Sequence, residues 1–174
     1  YYAGEKMTVT TILALGSNLG AKEETLLRAI ADLGSNPKIS LRKISPVAVT
    51  AAVGGPQGQP DFLNLVLEVE TELSPFDLLR YCQSVEEKHH RTREVHWGPR
   101  TLDIDIISYG SLVMDEPELT LPHPMAAQRA FVLEPWARMD PVALLEGEQV
   151  RSLARRAADY AGIKEFREAP VMCG

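Results

Sequence analysis

Apolar and polar residues alternate with two different periods along this chain, and the two periods predict strands and helices in turn. Strand-like runs cover residues 9–15, 39–49 with a break at Pro46, and 62–70, and a further run follows the loop that begins at Trp97. Helix-like runs, with apolar residues recurring every three or four positions, cover residues 21–33, 75–89, 126–137 with an interruption at Pro135, and 150–161. A short hairpin is predicted over residues 144–150. No repeat, low-complexity tract or linker divides the chain, so we expect one domain.

Capping and turn residues predict where several elements begin and end. Ser74 is a good N-cap residue and Pro75 suits the first position of the helix that follows. Gly34 is expected to follow the end of the first helix. The glycine-rich turn from Gly16 to Gly20 lacks the pattern of a phosphate loop, so we interpret it as a structural strand-to-helix turn.

The stretch from Trp97 to Ile107 concentrates the candidate chemistry. Asp103 and Asp105 interrupt an apolar run, and because side chains alternate along a strand, both carboxylates point to the same face. Two neighbouring carboxylates need a cation beside them. An ion pair with an arginine such as Arg100 would supply it. So would Mg²⁺, which takes one or two carboxylates and fills its other positions with water and phosphate oxygens.

Three other features are candidate binding groups, each with a plainer alternative. Arg91, Arg93 and Arg100 concentrate positive charge just before the carboxylate strand, as in a polyphosphate site or on a solvated face. Asn64 lies among apolar neighbours, where its amide either makes a structural hydrogen bond or recognises a polar heterocycle. His123 is held between two prolines and is either structural or a positioned donor.

The composition narrows the classes of function. Of the 174 residues, 45% are hydrophobic and 24% are charged, as in ordinary globular proteins. The net charge of −6 argues against a general nucleic-acid binder, and no apolar run approaches the ~20 residues of a membrane span. Cys82 and Cys173 provide no disulfide framework, which indicates a reducing compartment and predicts a cytoplasmic protein. Residues 1–6, before Met7, are expected to be the remnant of a tag or linker, and the end of an upstream fused domain stays open as the alternative.

Five motifs occur in order and resemble those of one enzyme family. They are Leu15–Gly20, Gly55–Asn64, Arg91-x-Arg93 followed by Trp97–Ile106, Pro122-His123-Pro124, and Arg129–Leu133. Together they resemble the 6-hydroxymethyl-7,8-dihydropterin pyrophosphokinase family, over essentially Thr8 to Ala161. The run Trp-Gly-Pro-Arg-Thr-Leu-Asp-Ile-Asp is the specific part of the resemblance, whereas the glycine turn alone would be weak.

The resemblance implies a fold and a reaction. The expected fold class is α+β, a ferredoxin-like αβα sandwich with a central, mostly antiparallel sheet, and residues 7–174 would form a single pyrophosphokinase domain. The expected reaction transfers pyrophosphate from ATP to the hydroxymethyl group of the dihydropterin and releases AMP, in folate biosynthesis. Its substrates, ATP and 6-hydroxymethyl-7,8-dihydropterin, would be the binding partners, with two Mg²⁺ ions accompanying ATP and neither nucleic acid nor a membrane involved. Fusion to, or partnership with, a neighbouring folate-pathway enzyme stays open.

The resemblance also implies roles for individual residues. The expected catalytic residues are Arg91, Arg100, Asp103 and Asp105, of which Asp103 and Asp105 would hold the metal ions. ATP is expected to contact Gln83, Glu86, Arg93, Trp97, His123 and Arg129. The pterin is expected to contact Gly54, Phe62, Asn64 and Phe131. The sequence departs from the family pattern at His96, where an arginine is common, and at Ala51 and Ala52, where a Thr-Pro pair is frequent.

Two other classes of function stay open on the residues alone. A glycosyl- or nucleotidyltransferase could use the same Asp-x-Asp pair with a metal ion, and analysis of the products would distinguish it. A ferredoxin-like RNA-binding module would need a basic sheet with exposed aromatic residues. The net charge of −6 and an aromatic fraction of 6% count against such a module.

Overall fold

The structure, a computed structural model, describes residues 7–18, 22–51, 61–91 and 102–170. In chain order, its first strands are β1 (Val9–Ser17), β2 (Ile39–Ile44), β3 (Val47–Thr50), β4 (Phe62–Thr71) and β5 (Leu102–Tyr109). The strands β6 (Met114–Asp115), β7 (Thr120–Leu121), β8 (Leu144–Leu145), β9 (Glu148–Gln149) and β10 (Ile163–Arg167) follow. The helices are α1 (Lys22–Ser35), α2 (Pro75–Arg91), α3 (Ala130–Met139) and α4 (Val150–Arg156).

Six strands form the central sheet. Five of them lie in the order β10-β3-β4-β1-β5, and the sixth, β2, pairs with a different part of β4 from the part that β3 pairs with. Within the described residues, every pairing in this sheet is antiparallel. β6 with β7 and β8 with β9 form two separate small hairpins. The β8–β9 turn places Glu146 and Gly147 at positive φ, as a tight hairpin turn requires.

Helices cover both faces of the sheet and bury two hydrophobic clusters. On one face, α1 and α2 pack against β1, β4 and β5, and the sheet contributes Leu13, Leu15 and Leu65 to the cluster. On the other face, α3 and α4 enclose a second cluster with Ala14 and Val66. Because β4 is covered on both sides, it is apolar along most of its length. The predicted αβα sandwich with a mostly antiparallel sheet is confirmed.

The predicted cap of α2 is present, because the Asp77 backbone N–H donates to the Ser74 hydroxyl over 3.2 Å. Cys82, on the same helix, is fully buried, and burial raises the pKa of its thiol to about 12. It is therefore an inert packed residue. A membrane-crossing helix would need more length and more apolar character than any helix in the described part of the chain has.

The structure corrects four sequence predictions. β1 continues through Gly16 and Ser17, where we expected a turn. Gly34 lies inside α1, since the helix continues to Ser35. The helical backbone is interrupted at Arg129, between a short 3-10 helix (Ala126–Gln128) and α3. It is not interrupted at Pro135, which lies inside α3 among buried apolar residues. The last helix ends at Arg156 and not at residue 161, and the chain then forms β10, which pairs with β3 in the central sheet. The expectation for residues 1–6 lies outside the described residues.

Candidate active site

Strand register brings the predicted polar residues into one row across the sheet. Gly16 on β1 is paired with Asp103 on β5 and with Asn64 on β4. Side chains of directly paired residues lie on the same face of a sheet, so Asp103 and Asn64 flank a position that carries no side chain. Asp105, two residues further along β5, lies on the same face and is paired with Ala14 on β1.

A cavity of about 450 Å³ opens over this row. It lies on the face of the sheet that α3 covers, and its lining includes six of the residues predicted as site residues: Phe62, Asn64, Asp103, Asp105, Arg129 and Phe131. Asp103 is exposed and Asp105 is half-buried, so both carboxylates are open to a solvated ligand. Arg129, on the opposite wall, brings a permanent positive charge to the same space as the two carboxylates.

The Asn64 side chain is fixed from two sides. It is 8% exposed, and its amide nitrogen donates to the Thr50 hydroxyl over 3.1 Å. Its carbonyl oxygen lies only 2.8 Å from where a Cβ atom at position 16 would stand. Position 16 therefore needs a glycine, because any Cβ atom there would clash with Asn64. Gly16 and Thr50 together hold the Asn64 amide in one orientation toward the cavity.

The start of α3 forms the wall opposite the sheet. Arg129 occupies the N-cap position with extended backbone and makes no side-chain cap. The backbone N–H of Ala130 donates instead to the Asp159 carboxylate over 2.9 Å. Phe131 follows, half-buried, and the Arg129 guanidinium lies 5.8 Å from the centre of its ring, within the range of a cation–π contact.

Glu86 connects α2 to the outer edge of the carboxylate strand. Its carboxylate accepts a hydrogen bond of 2.9 Å from the backbone N–H of Ile104, the residue between Asp103 and Asp105. Burial raises the pKa of Glu86 to about 6, helped by the negative charges of the two aspartates and opposed by the Ile104 hydrogen bond. Glu86 thus occupies a position where its own charge is disfavoured.

This pKa predicts a pH dependence of stability in the absence of Mg²⁺. Since the folded state raises the pKa of Glu86 above its ordinary value of 4.5, the protonated carboxyl stabilises the fold below that value and this contribution is lost as pH rises through about 6. Glu86→Gln keeps an acceptor for Ile104 and cannot ionise. We expect its free energy of unfolding, relative to wild type, to increase between pH 4.5 and 7, measured by urea denaturation.

The matched control is Glu87→Gln, a change of the neighbouring exposed carboxylate on the same helix. This variant removes one carboxylate from α2 and leaves the Glu86–Ile104 hydrogen bond in place, so the pH trend of Glu86→Gln is compared with it. A Glu86→Gln protein whose relative stability does not change with pH would show that the Glu86 carboxylate is not disfavoured in the folded state.

His123 stands near the cavity and is held by its backbone. Its N–H donates to the Ile107 carbonyl over 2.8 Å, while its Nδ1 accepts from the Met125 N–H over 3.2 Å. Partial burial lowers the pKa of His123; the nearby Asp105 charge opposes that shift and Arg129 adds to it. The ring is therefore a neutral donor through Nε2 at physiological pH. The peptide bond between Leu121 and Pro122 is cis.

The remaining predicted residues are dispersed or undescribed. Gln83 is exposed on α2 and accepts from Arg80 over 3.1 Å, and Gln83, Glu86 and His123 do not line the cavity. Gly54, Arg93, Trp97 and Arg100 lie outside the described residues, as does His96, and so does the side chain of Arg91. The ligand contacts expected of all these residues stay predictions.

Sequence reasoning missed several residues that line the cavity. Gly16 and Thr50 set the position of Asn64, while Asp159 and Gly162 come from the end of the chain. The Gly-Ser-Asn motif that begins at Gly16 also suits a turn, so the sequence alone does not identify the close approach of Asn64 to Gly16. Nothing in the local sequence around Asp159 distinguishes it from a solvated aspartate.

Comparison with known proteins decides the family. The family model described as 7,8-dihydro-6-hydroxymethylpterin-pyrophosphokinase matches residues 12–141, which include both aspartates, Asn64 and Phe131. The chain belongs to this family. The predicted family is therefore confirmed.

Relatives of this pyrophosphokinase family differ in length. The chain is 47% identical over 126 residues to the bifunctional protein FolKE of Lactococcus lactis subsp. cremoris, covering 72% of this chain but 36% of that protein. It is 41% identical over 157 residues to the 2-amino-4-hydroxy-6-hydroxymethyldihydropteridine pyrophosphokinase of Bacillus subtilis, covering 90% of this chain and 89% of that one. The chain thus spans about a third of the bifunctional relative and most of the Bacillus subtilis one.

Solved structures of the family agree on the fold. A crystal structure of Plasmodium falciparum HPPK-DHPS superposes with a TM-score of 0.67 at 13% sequence identity, covering 88% of this chain and 44% of that chain. A wild-type structure of the same protein with pterin and p-hydroxybenzoate gives a TM-score of 0.66 at 14% identity. At such low identity the superpositions show the fold alone.

Proposed function

We propose that this chain transfers pyrophosphate from ATP to the hydroxymethyl group of 6-hydroxymethyl-7,8-dihydropterin, giving AMP and the pterin diphosphate. The observation that carries the proposal is the cavity, which joins a pair of carboxylates to two aromatic rings and a buried amide. A flat heterocycle stacks on aromatic rings, and a polyphosphate with its metal ions needs carboxylates nearby, so a ligand pair of this kind needs both surfaces side by side. Membership of the pyrophosphokinase family supports the same reaction.

The aromatic half of the cavity suits the pterin. Phe62 comes from the start of β4 and Phe131 from the first turn of α3, so the two rings reach the cavity from different layers. A flat, polarised ring between them gains stacking energy. Asn64 donates one N–H to Thr50, which leaves its second N–H and a carbonyl lone pair for the edge of a heterocycle. Gly54 is proposed as a further pterin contact.

The acidic half suits two Mg²⁺ ions that accompany ATP. Asp103 and Asp105 would hold them, and the donor set fits, because Mg²⁺ takes one or two carboxylates and completes its shell with water and phosphate oxygens. Within the described residues, no group of three or more His, Cys, Asp or Glu side chains forms a closed metal cage. When bound, the ions neutralise negative charge on the triphosphate.

The remaining residues bind, orient and exclude water. The pterin hydroxyl oxygen attacks the β-phosphorus of ATP, the bond from that phosphorus to the α–β bridging oxygen breaks, AMP leaves with the electron pair, and the hydroxyl proton is released. Such a transfer depends on in-line positioning and charge neutralisation. Asp103 is proposed to orient the hydroxyl as well as hold metal. Contacts to ATP are proposed for Gln83, Glu86, Arg91, Arg93, Trp97, Arg100, His123 and Arg129.

Binding and product analysis test the proposal. We expect calorimetry to show pterin binding in the presence of Mg²⁺ and a non-hydrolysable ATP analogue, and we expect turnover to release AMP and pterin diphosphate in equal amounts. Phe131→Ala should weaken pterin binding by about tenfold or more, because one face of the stack is lost. Phe76→Ala, which removes an exposed ring from α2 away from the cavity, is the matched control. Absence of pterin binding to the wild-type protein with the analogue present would refute the proposal.

The proposal extends to a neighbouring enzyme. Two relatives carry the name bifunctional protein FolKE, and the solved Plasmodium chains are HPPK-DHPS proteins. Members of the family thus occur joined to other activities. We propose that this pyrophosphokinase works fused to, or in contact with, another enzyme of folate biosynthesis.

A further inference from the structure

The residues that follow α4 run along the cavity before they join the sheet. We define residues 157–164 as the C-terminal wall. The wall begins with tight turns, in which Tyr160 N–H donates to the Ala157 carbonyl over 3.1 Å and Gly162 N–H donates to the Asp159 carbonyl over 2.9 Å. It ends as the start of β10, which pairs with β3 in a register that places Ile163 opposite Thr50. Two of its members, Asp159 and Gly162, line the cavity.

The wall holds the first turn of α3. Helix N-terminal N–H groups lack partners within the helix and are usually satisfied by the side chain of the N-cap residue. Arg129 cannot accept a hydrogen bond through its side chain, and Asp159 supplies the acceptor from another element, 2.9 Å from the Ala130 nitrogen. Its negative charge also suits the positive end of the helix dipole. Because Arg129 and Phe131 flank Ala130, this one bond fixes the turn that presents both side chains to the cavity.

The wall also holds the opposite side of the cavity. The Gly162 carbonyl accepts a hydrogen bond from the Ala51 N–H over 3.4 Å. Ala51 follows Thr50, whose hydroxyl accepts the hydrogen bond from the Asn64 amide. The Lys164 ammonium contacts both carboxylate oxygens of Asp61 at 3.1 Å, one residue before Phe62. The same eight-residue segment is therefore bonded to the backbone or side chains next to Phe131, Asn64 and Phe62.

We propose that the C-terminal wall sets the spacing of the pterin-binding surfaces, and that Asp159 is a positioning residue that acts through α3 on Phe131. This inference rests on the proposed function, since the surfaces in question are those proposed to bind the pterin. Asp159 itself makes no contact with the reacting groups in this scheme. A stacking site has to keep its two rings a fixed distance apart, and the two rings here lie on elements that the wall connects.

Three variants separate positioning from general stability. Asp159→Ala removes the acceptor, whereas Asp159→Asn keeps a side-chain oxygen that can accept from Ala130. Asp140→Ala is the matched control, because Asp140 lies at the other end of α3 and its carboxylate accepts from the Val142 N–H over 3.2 Å, away from the cavity. Each protein is measured for its pterin Kd, with Mg²⁺ and a non-hydrolysable ATP analogue present, and for amide hydrogen exchange.

We expect Asp159→Ala to raise the pterin Kd about tenfold, because binding must then order a turn that is already ordered in the wild-type protein. Asp159→Asn should restore the Kd to within about threefold of wild type. The Ala130 amide should exchange faster in Asp159→Ala and at the wild-type rate in Asp159→Asn. Asp140→Ala should change neither the pterin Kd nor exchange at Ala130, even where it lowers thermal stability.

Two results would overturn the inference. One is a pterin Kd for Asp159→Ala equal to that of wild type or of Asp140→Ala. The other is unchanged exchange at Ala130 after the acceptor is removed. A wild-type protein that binds no pterin would instead overturn the proposed function, and the exchange rates, which need no ligand, would then decide alone whether Asp159 orders the start of α3.

Discussion

Asp105→Ala is expected to abolish nearly all turnover in a protein that remains folded. Asp105 is half-buried at the cavity and lies outside both hydrophobic clusters, so its removal leaves the core intact. If it holds metal against the triphosphate, its loss removes charge stabilisation from the transition state. We expect kcat to fall by at least about 10³-fold. The assay is AMP release with pterin and ATP, and circular dichroism with thermal unfolding monitors the fold.

The control is Asp115→Ala, which removes an exposed aspartate from β6 outside the cavity. Its kcat and KM values should match those of wild type. A folded Asp105→Ala protein that keeps more than about a tenth of wild-type kcat would contradict the metal-binding role, since one lost ligand charge should cost far more than tenfold.

Gly16→Ala is expected to damage the pterin site more than its size suggests. The new Cβ would stand 2.8 Å from the Asn64 carbonyl oxygen, a distance that forces one of the two to move. Asn64 is buried and bonded to Thr50, so a shift would break that bond or turn the amide away from the cavity. We expect about 10- to 100-fold weaker pterin binding, as for other misplacements of a positioned group. Overpacking should also lower stability by about 1–3 kcal/mol.

Gly34→Ala tests whether any crowded glycine behaves in this way. A Cβ at position 34 would lie 3.0 Å from the tip of the Leu41 side chain, which is flexible and remote from the cavity. Pterin affinity should be unchanged in this variant. Should Gly16→Ala bind pterin as tightly as Gly34→Ala does, the close approach of Asn64 would have no part in recognition.

The sequence was sufficient for several residues whose surroundings follow from their neighbours along the chain. Because side chains alternate along a strand, Asp103 and Asp105 are predictable on one face of β5, and both line the cavity. The cap of α2 by Ser74 is predictable because an N-cap is indicated by neighbouring residues alone. Asn64 stands out in the sequence as a polar residue among apolar ones, and it is buried with a hydrogen-bond partner.

Features that depend on register between distant strands were not predictable in this way. Gly16 lies beside Asn64 because β1 and β4 pair in one particular alignment, and a single chain gives no local sign of that alignment. β10 has charged residues at three of its five positions and forms because β3 offers an edge to pair with. Glu86 is predicted to contact ATP, but its hydrogen bond to Ile104 depends on the fold, which places the edge of β5 against α2.

The hydrogen bond from Ile104 to Glu86 has a consequence for assembly. β5 is the last strand of the central sheet, and an uncovered edge strand is a template on which another chain can add a strand. Here the Glu86 carboxylate occupies the Ile104 N–H, and the His123 N–H occupies the Ile107 carbonyl. Strand addition at this edge would have to displace both. The edge that carries Asp103 and Asp105 is thus protected from aggregation through strand pairing.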